Sequence, residues 1–153
     1  MMKITTFLAS GLGLFASISF AMPLEERAGE PFQTVHLTFH AGPVSYNLTL
    51  PADGHYRQTN NDLSVNIIEA PDYNAFYQCQ FETLNEATLA SGISPTGSNL
   101  IFVGPPTPIK KVRCQGMCVP TWGECYRSGQ YVGPCCTGFC AANRCRPWVY
   151  TTV

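Results

Sequence analysis

The chain has 153 residues, with nine Lys plus Arg against ten Asp plus Glu, for a formal net charge of −1. Residues 28–113 carry Arg57, Lys110, Lys111 and Arg113 against seven carboxylates, a net of −3, and residues 114–153 carry Arg127, Arg144 and Arg146 against Glu124, a net of +2. Neither half offers the dense basic face on which phosphate neutralisation depends, which argues against a nucleic-acid binder, and the charge gives no strong pull toward an anionic membrane.

In chain order, Met1 to Lys3 supply a short positive start, Phe7 to Ile18 an apolar stretch, and Ser19-Phe20-Ala21 a small-x-small cleavage pattern. Residues 1–21 are therefore expected to be a signal peptide. A retained anchor is the alternative, but Ser10, Gly11, Gly13 and Ser17 interrupt the run, and it falls short of the roughly 20 residues that span a bilayer. Residues 22–27, Met-Pro-Leu-Glu-Glu-Arg, read as a possible pro-segment, with the mature chain starting at Ala28. No later stretch is long and apolar enough for a transmembrane segment.

Residues 28–113 form the first expected domain. From Gln33 to His40, Val35, Leu37 and Phe39 alternate with Thr34, His36 and Thr38, the period of a half-buried strand. Ala41-Gly42-Pro43 is a turn signal, and Val44 to Leu50 resumes the alternation through Tyr46, Leu48 and Leu50, so the two runs read as a hairpin. Asn47-Leu48-Thr49 is an N-glycosylation sequon, and with Leu48 inward Asn47 points out. Pro51-Ala52-Asp53-Gly54 and Asn60-Asn61-Asp62 break the pattern, and Leu63, Val65 and Ile67 alternate again. Further strands are predicted over Ala75 to Glu82, Leu100 to Val103 and Ile109 to Arg113, and only Glu82 to Ser91 has a composition suited to a turn or two of helix. About six short strands predict an all-β fold, with an antiparallel β-sandwich or open barrel first and a disulfide-rich tail after it.

That tail, residues 114–153, holds seven of the eight cysteines. A segment so small buries too little apolar surface to offset its ordering entropy, so disulfides must constrain the unfolded chain, which places the protein in an oxidising compartment. Eight cysteines allow 105 pairings. If Cys118, Cys125, Cys135, Cys136, Cys140 and Cys145 close as a set of six, Cys79 and Cys114 are left to pair. Alternatively Cys114 belongs to the set, and Cys79 pairs elsewhere or stays free.

The spacing of those six, with the run Cys135-Cys136-Thr137-Gly138-Phe139-Cys140, resembles that of the knottins, which include omega-conotoxins, spider toxins and small plant and insect antimicrobial peptides. The resemblance covers about 30 residues and implies pairing of first with fourth, second with fifth and third with sixth: Cys118 with Cys136, Cys125 with Cys140, and Cys135 with Cys145. The loop from Tyr126 through Pro134 is longer than in many conotoxins. Such a framework speaks to fold and not to activity, since one knot serves blockers, inhibitors, antimicrobials and inert scaffolds alike. The whole layout, with Leu24-Glu25-Glu26-Arg27 and Val103-Gly104-Pro105-Pro106, is similar to small secreted cysteine-rich proteins of filamentous fungi, many of them regarded as candidate effectors.

The residues point away from catalysis. His36 and His40 share one strand face but stand roughly 13 Å apart, too far to chelate one metal. No motif places a nucleophile beside a histidine, and the carboxylates Asp53, Asp62, Glu69, Asp72, Glu82 and Glu86 are scattered. No enzyme activity, metal or cofactor is expected. The three-residue gaps between Cys114 and Cys118 and between Cys136 and Cys140 would also suit zinc, but an exported chain with adjacent cysteines favours disulfides.

Binding is the better expectation. A knot filled with cystine has little interior room, so Trp122, Tyr126, Arg127, Tyr131, Phe139, Arg144, Arg146 and Trp148 should be displayed, and aromatic residues with Arg are the types enriched at interface hot spots. Phe139 and Trp148 would alternatively pack as a seam against the first domain. The favoured expectation is a monomeric secreted binding protein of effector type, acting on a host protein or a cell-wall polysaccharide, with chitin one option. The rival is a precursor that releases its knottin as a toxin or antimicrobial peptide, with Lys110-Lys111 as the processing site.

Overall fold

A computed structural model describes residues 32–148; the expected signal peptide and pro-segment lie outside them. Strands β1 (Thr34–Ala41) and β2 (Val44–Pro51) form the hairpin that the alternation predicts, paired from Thr34 with Pro51 to Ala41 with Val44. Its two-residue turn places Gly42 at φ +65°, a conformation that glycine adopts without a steric cost. There follow β3 (Arg57–Gln58), β4 (Val65–Ala70), the single helical turn α1 (Ala75–Gln78), β5 (Cys79–Thr83), β6 (Thr88–Ile93), β7 (Asn99–Thr107) and β8 (Ile109–Cys114). An antiparallel five-stranded sheet, ordered β2-β1-β4-β7-β6, and a three-stranded one, ordered β3-β8-β5, share one core. Val35, Leu37, Phe39, Ile68 and Ile101 fill it from the first sheet, and Ile109, Val112 and Cys114 from the second. Full burial of each large aliphatic or aromatic side chain contributes about 1.5–3 kcal/mol.

Three local expectations are corrected. Residues 75–78 are helical, not part of a strand: the β5–β8 ladder ends at Cys79–Cys114, with one further backbone bond from the Gln115 amide to the Gln78 carbonyl at 2.9 Å. Residues 82–91 hold no helix: they finish β5 and begin β6, an edge strand that bonds to β7 from Thr88–Gly104 to Ile93–Asn99. The alternation through Val65 and Ile67 breaks at a register shift between them, so Val65 is buried, Ile67 is only half-buried, and Ile68 and Ala70 become the inward pair.

The tail adds two short hairpins, β9 (Tyr126–Arg127) with β10 (Gln130–Tyr131), and β11 (Phe139–Ala141) with β12 (Arg144–Arg146). Four disulfides close: Cys79–Cys114, Cys118–Cys136, Cys125–Cys140 and Cys135–Cys145. Among the described residues no cysteine is free. Sulfurs of Cys125, Cys135 and Cys145 lie within 4.8 Å of one another at the heart of the tail, where, among the described residues, Val119 adds the apolar packing.

Cys118–Cys136 belongs instead to the core of the two sheets. Polar side chains of the sandwich bind the tail backbone around it. Gln33 accepts the Cys118 amide at 2.9 Å, Asn74 donates to the Cys135 carbonyl at 3.0 Å, and Asn99 donates to the carbonyls of Tyr73 at 3.0 Å and Cys136 at 2.6 Å. Tyr73, fully buried, donates its hydroxyl to the Gly116 carbonyl at 2.8 Å, and burial pushes its phenol up to about 12. Gln78 reaches the Met117 carbonyl at 3.1 Å. Apart from the exposed one to Met117, these bonds satisfy backbone that would otherwise be desolvated without a partner. Sandwich and tail are thereby held as one packed body.

Candidate functional site

The tail displays its aromatic residues because crossed disulfides occupy its interior. Trp122 is the clearest case, 54% exposed at φ +71°, in the left-handed region unusual for a residue with a Cβ. Its amide donates to the Cys145 carbonyl at 2.7 Å, and its own carbonyl accepts Arg144 at 3.0 Å, so β12 holds the turn. The Arg146 guanidinium lies 4.9 Å from the centre of the Trp122 ring, a cation–π contact. Arg146 is the cross-strand partner of Phe139, whose ring stands 4.9 Å from that of Trp148. Trp122, Arg146, Phe139 and Trp148 therefore follow one another around the β11–β12 hairpin. Gly138 makes its approach possible: at φ +80° a Cβ there would lie 1.8 Å from the Arg146 carbonyl oxygen.

Tyr126 and Tyr131 form a second aromatic pair, at 5.2 Å, across the β9–β10 hairpin, whose turn uses Ser128 and Gly129 at φ +51° and +79°. Arg127 bonds Glu124 at 2.9 Å and Arg144 approaches its other oxygen at 3.9 Å, so one carboxylate offsets both. The Arg127 hydrogen bond holds the Glu124 carboxyl below its ordinary value. Arg146 has no carboxylate partner among the described residues. The eight residues singled out in the sequence thus divide into a Trp–Arg–Phe–Trp run carrying an uncompensated cation, a tyrosine pair, and two arginines committed to Glu124.

Trp148 also borders the sandwich. It lines a groove of about 190 Å³ with Phe76, Tyr77, Leu100 and Gly138, while keeping 38% of its surface exposed, and Phe139 keeps 42%. Trp148 therefore takes part in the seam and in the displayed surface together. Met117, beside Cys118, and Val132, in the Tyr126–Pro134 loop, extend the exposed apolar surface of the tail and carried no sequence signal.

The histidines lie apart from this surface. His36 Nδ1 contacts the Asp72 carboxylate, His40 Nε2 lies 3.4 Å from Glu69, and His55 lies 3.5 Å from Asp53. Their side-chain partners among the described residues are carboxylates, not hydroxyls or thiols. Asn47 is exposed on β2 and accepts the Thr38 hydroxyl at 2.9 Å. No described helix is long and apolar enough to cross a membrane.

Fold and site define an all-β protein with a disulfide-rich C-terminal tail and an aromatic–arginine surface. In comparisons with protein-family models, with curated proteins and with solved structures, nothing matches this chain.

Proposed function

We propose that this chain is a secreted, non-enzymatic binding protein of effector type, in which the sandwich and a knottin-like tail act as one unit on a host protein or a cell-wall polysaccharide. The observation that carries the proposal is the anchoring of the tail: its first disulfide lies in the sandwich core, and Gln33, Asn74 and Asn99 bind its backbone. Four disulfides fit an exported chain. The order of pairing in the tail is that of the knottins, which supports a rigid scaffold for the displayed Trp122, Arg146, Phe139 and Trp148.

Release of the tail as a toxin is disfavoured. Lys110 and Lys111 lie within β8, paired on both sides as the central strand of its sheet and ion-paired to Asp62 and Glu82, whereas a processing protease needs an unpaired, accessible segment. Even after a cut there, Cys79–Cys114 would retain the tail.

The test is retention of the full secreted chain on insoluble chitin, on cell-wall preparations and on immobilised extracellular host proteins. Trp122→Ala should leave the melting temperature within about two degrees, since the indole is exposed, and weaken retention at least about tenfold, the effect of a modest hot spot. Equal retention of variant and parent on every matrix would remove the surface from the proposal. A free forty-residue tail in the intact mass before reduction would favour the released peptide.

A further inference from the structure

The outward face of the three-stranded sheet carries a second concentration of functional groups, distant in sequence from the tail aromatics. All four basic residues of segment 28–113 sit on β3 and β8. Three are neutralised: Arg57 by Asp53 at 2.6 Å, Lys110 by Asp62, and Lys111 by Glu82 at 3.2 Å. Arg113 has no carboxylate partner among the described residues. Its Nε donates to Gln80 Oε1 at 2.9 Å, and its guanidinium lies 4.9 Å from the centre of the Tyr56 ring. The Tyr56 hydroxyl donates to the same Gln80 oxygen at 3.3 Å. Gln80 and Tyr56 thus hold the guanidinium plane in place, while its two terminal nitrogens have no hydrogen-bond partner among the described residues.

Beside Arg113 runs an open groove of about 220 Å³, lined also by Tyr77, Gln78, Gln80 and Gln115. Apart from Cys79, its lining is of planar groups: one tyrosine, three glutamines and the arginine. Tyr77, in a T-shaped contact with Phe76 at 5.1 Å, is 79% exposed, which leaves most of its ring open to a ligand. Gln78 spends its amide nitrogen on the Met117 carbonyl and its Oε1 is buried, so the carboxamides open to a ligand are those of Gln80 and Gln115. A ligand matching this arrangement supplies a carboxylate for a fixed guanidinium, hydroxyl donors for carboxamides, and a C–H face for a tyrosine ring. An acidic peptide also supplies a carboxylate and donors, and β5, which borders the groove, is an edge strand; what a sugar adds is the flat C–H face that suits the exposed Tyr77 ring.

We propose that this face binds an oligosaccharide built from uronic acids, with Arg113 taking a sugar carboxylate and Tyr77 packing on the ring. The proposal does not depend on the partner of the tail surface.

Isothermal titration of the full chain with an oligogalacturonate of defined length tests it. Three controls accompany the titration: a neutral chito-oligosaccharide of equal length, poly-glutamate, and the titration repeated at raised salt. Saturable binding of the oligogalacturonate is expected, weaker as salt rises and at least about tenfold weaker in both Arg113→Gln and Tyr77→Ala, with Trp122→Ala unchanged. Tyr77→Ala removes an exposed ring and keeps the test decisive should Arg113→Gln fold poorly. Absence of saturable binding, equal affinity for the neutral oligosaccharide or for poly-glutamate, or full affinity in Tyr77→Ala would overturn the proposal. A loss confined to Trp122→Ala would also overturn it, by assigning the sugar to the tail.

Discussion

Asp53 accepts the His55 amide at 2.9 Å and clamps Arg57 through both carboxylate oxygens, at 2.6 and 3.3 Å. These bonds, the amide first, hold its carboxyl below the ordinary carboxylate value. A carboxyl lowered on folding contributes stability in full above its unfolded value, near 3.9 for Asp, and loses it as the pH falls through the lower folded value. Asp53→Asn should therefore lower the melting temperature at pH 7, and the gap to the parent should close below about pH 4. Melting curves of both proteins from pH 7 to pH 2 check this, and a gap of constant size down to pH 2 would show that the bonds to Asp53 contribute nothing that protonation removes.

Cys79 and Cys114 are direct partners in the β5–β8 ladder, 35 residues apart in sequence. Closing a loop of that length removes unfolded-state entropy equivalent to about 4 kcal/mol in the chain-entropy model. The double variant Cys79→Ala/Cys114→Ala should lose about 3–4 kcal/mol in a denaturant melt, and a loss under about 1 kcal/mol would mean that the reduced chain already keeps these strands together. The pairing was an option in the sequence because six other cysteines formed a recognisable set, whereas neighbouring elements left weaker traces. The β1–β2 hairpin was legible, since Val35, Leu37 and Phe39 all face one core. Strand β6 was not: Ala90, Ser91 and Gly92 are small residues on an edge and carry no alternation, and the Phe102 ring lies where a Cβ on Gly92 would sit, 2.3 Å from its nearest carbon. The helical turn at 75–78 follows from where β8 ends, a tertiary fact that the composition of Ala75 to Gln78 does not contain.

Seven cysteines within forty residues announced a separate tail, yet the core runs across residue 114. What joins the halves had no local signature. Gln33, Asn74 and Asn99 are ordinary polar residues whose partners lie 85, 61 and 37 positions away. The tail aromatics, by contrast, were legible as displayed groups, because a cystine interior leaves them nowhere else to go, although Trp148 proved to serve the seam as well. A shared core predicts cooperative unfolding. Both tryptophans, Trp122 and Trp148, lie in the tail, so their fluorescence reports on it, while far-UV circular dichroism is dominated by the eight strands of the sandwich. With disulfides intact, the two melting curves should coincide. Asn99→Ala removes donors from the Tyr73 and Cys136 carbonyls, one on each side of the seam, at a cost of about 2 kcal/mol. Both curves should therefore move down together, by on the order of 6–10 °C. If the fluorescence transition alone shifted, or already stood apart in the parent protein, the tail would be an independent domain. The released-peptide reading would then recover the ground that the polar seam has taken from it.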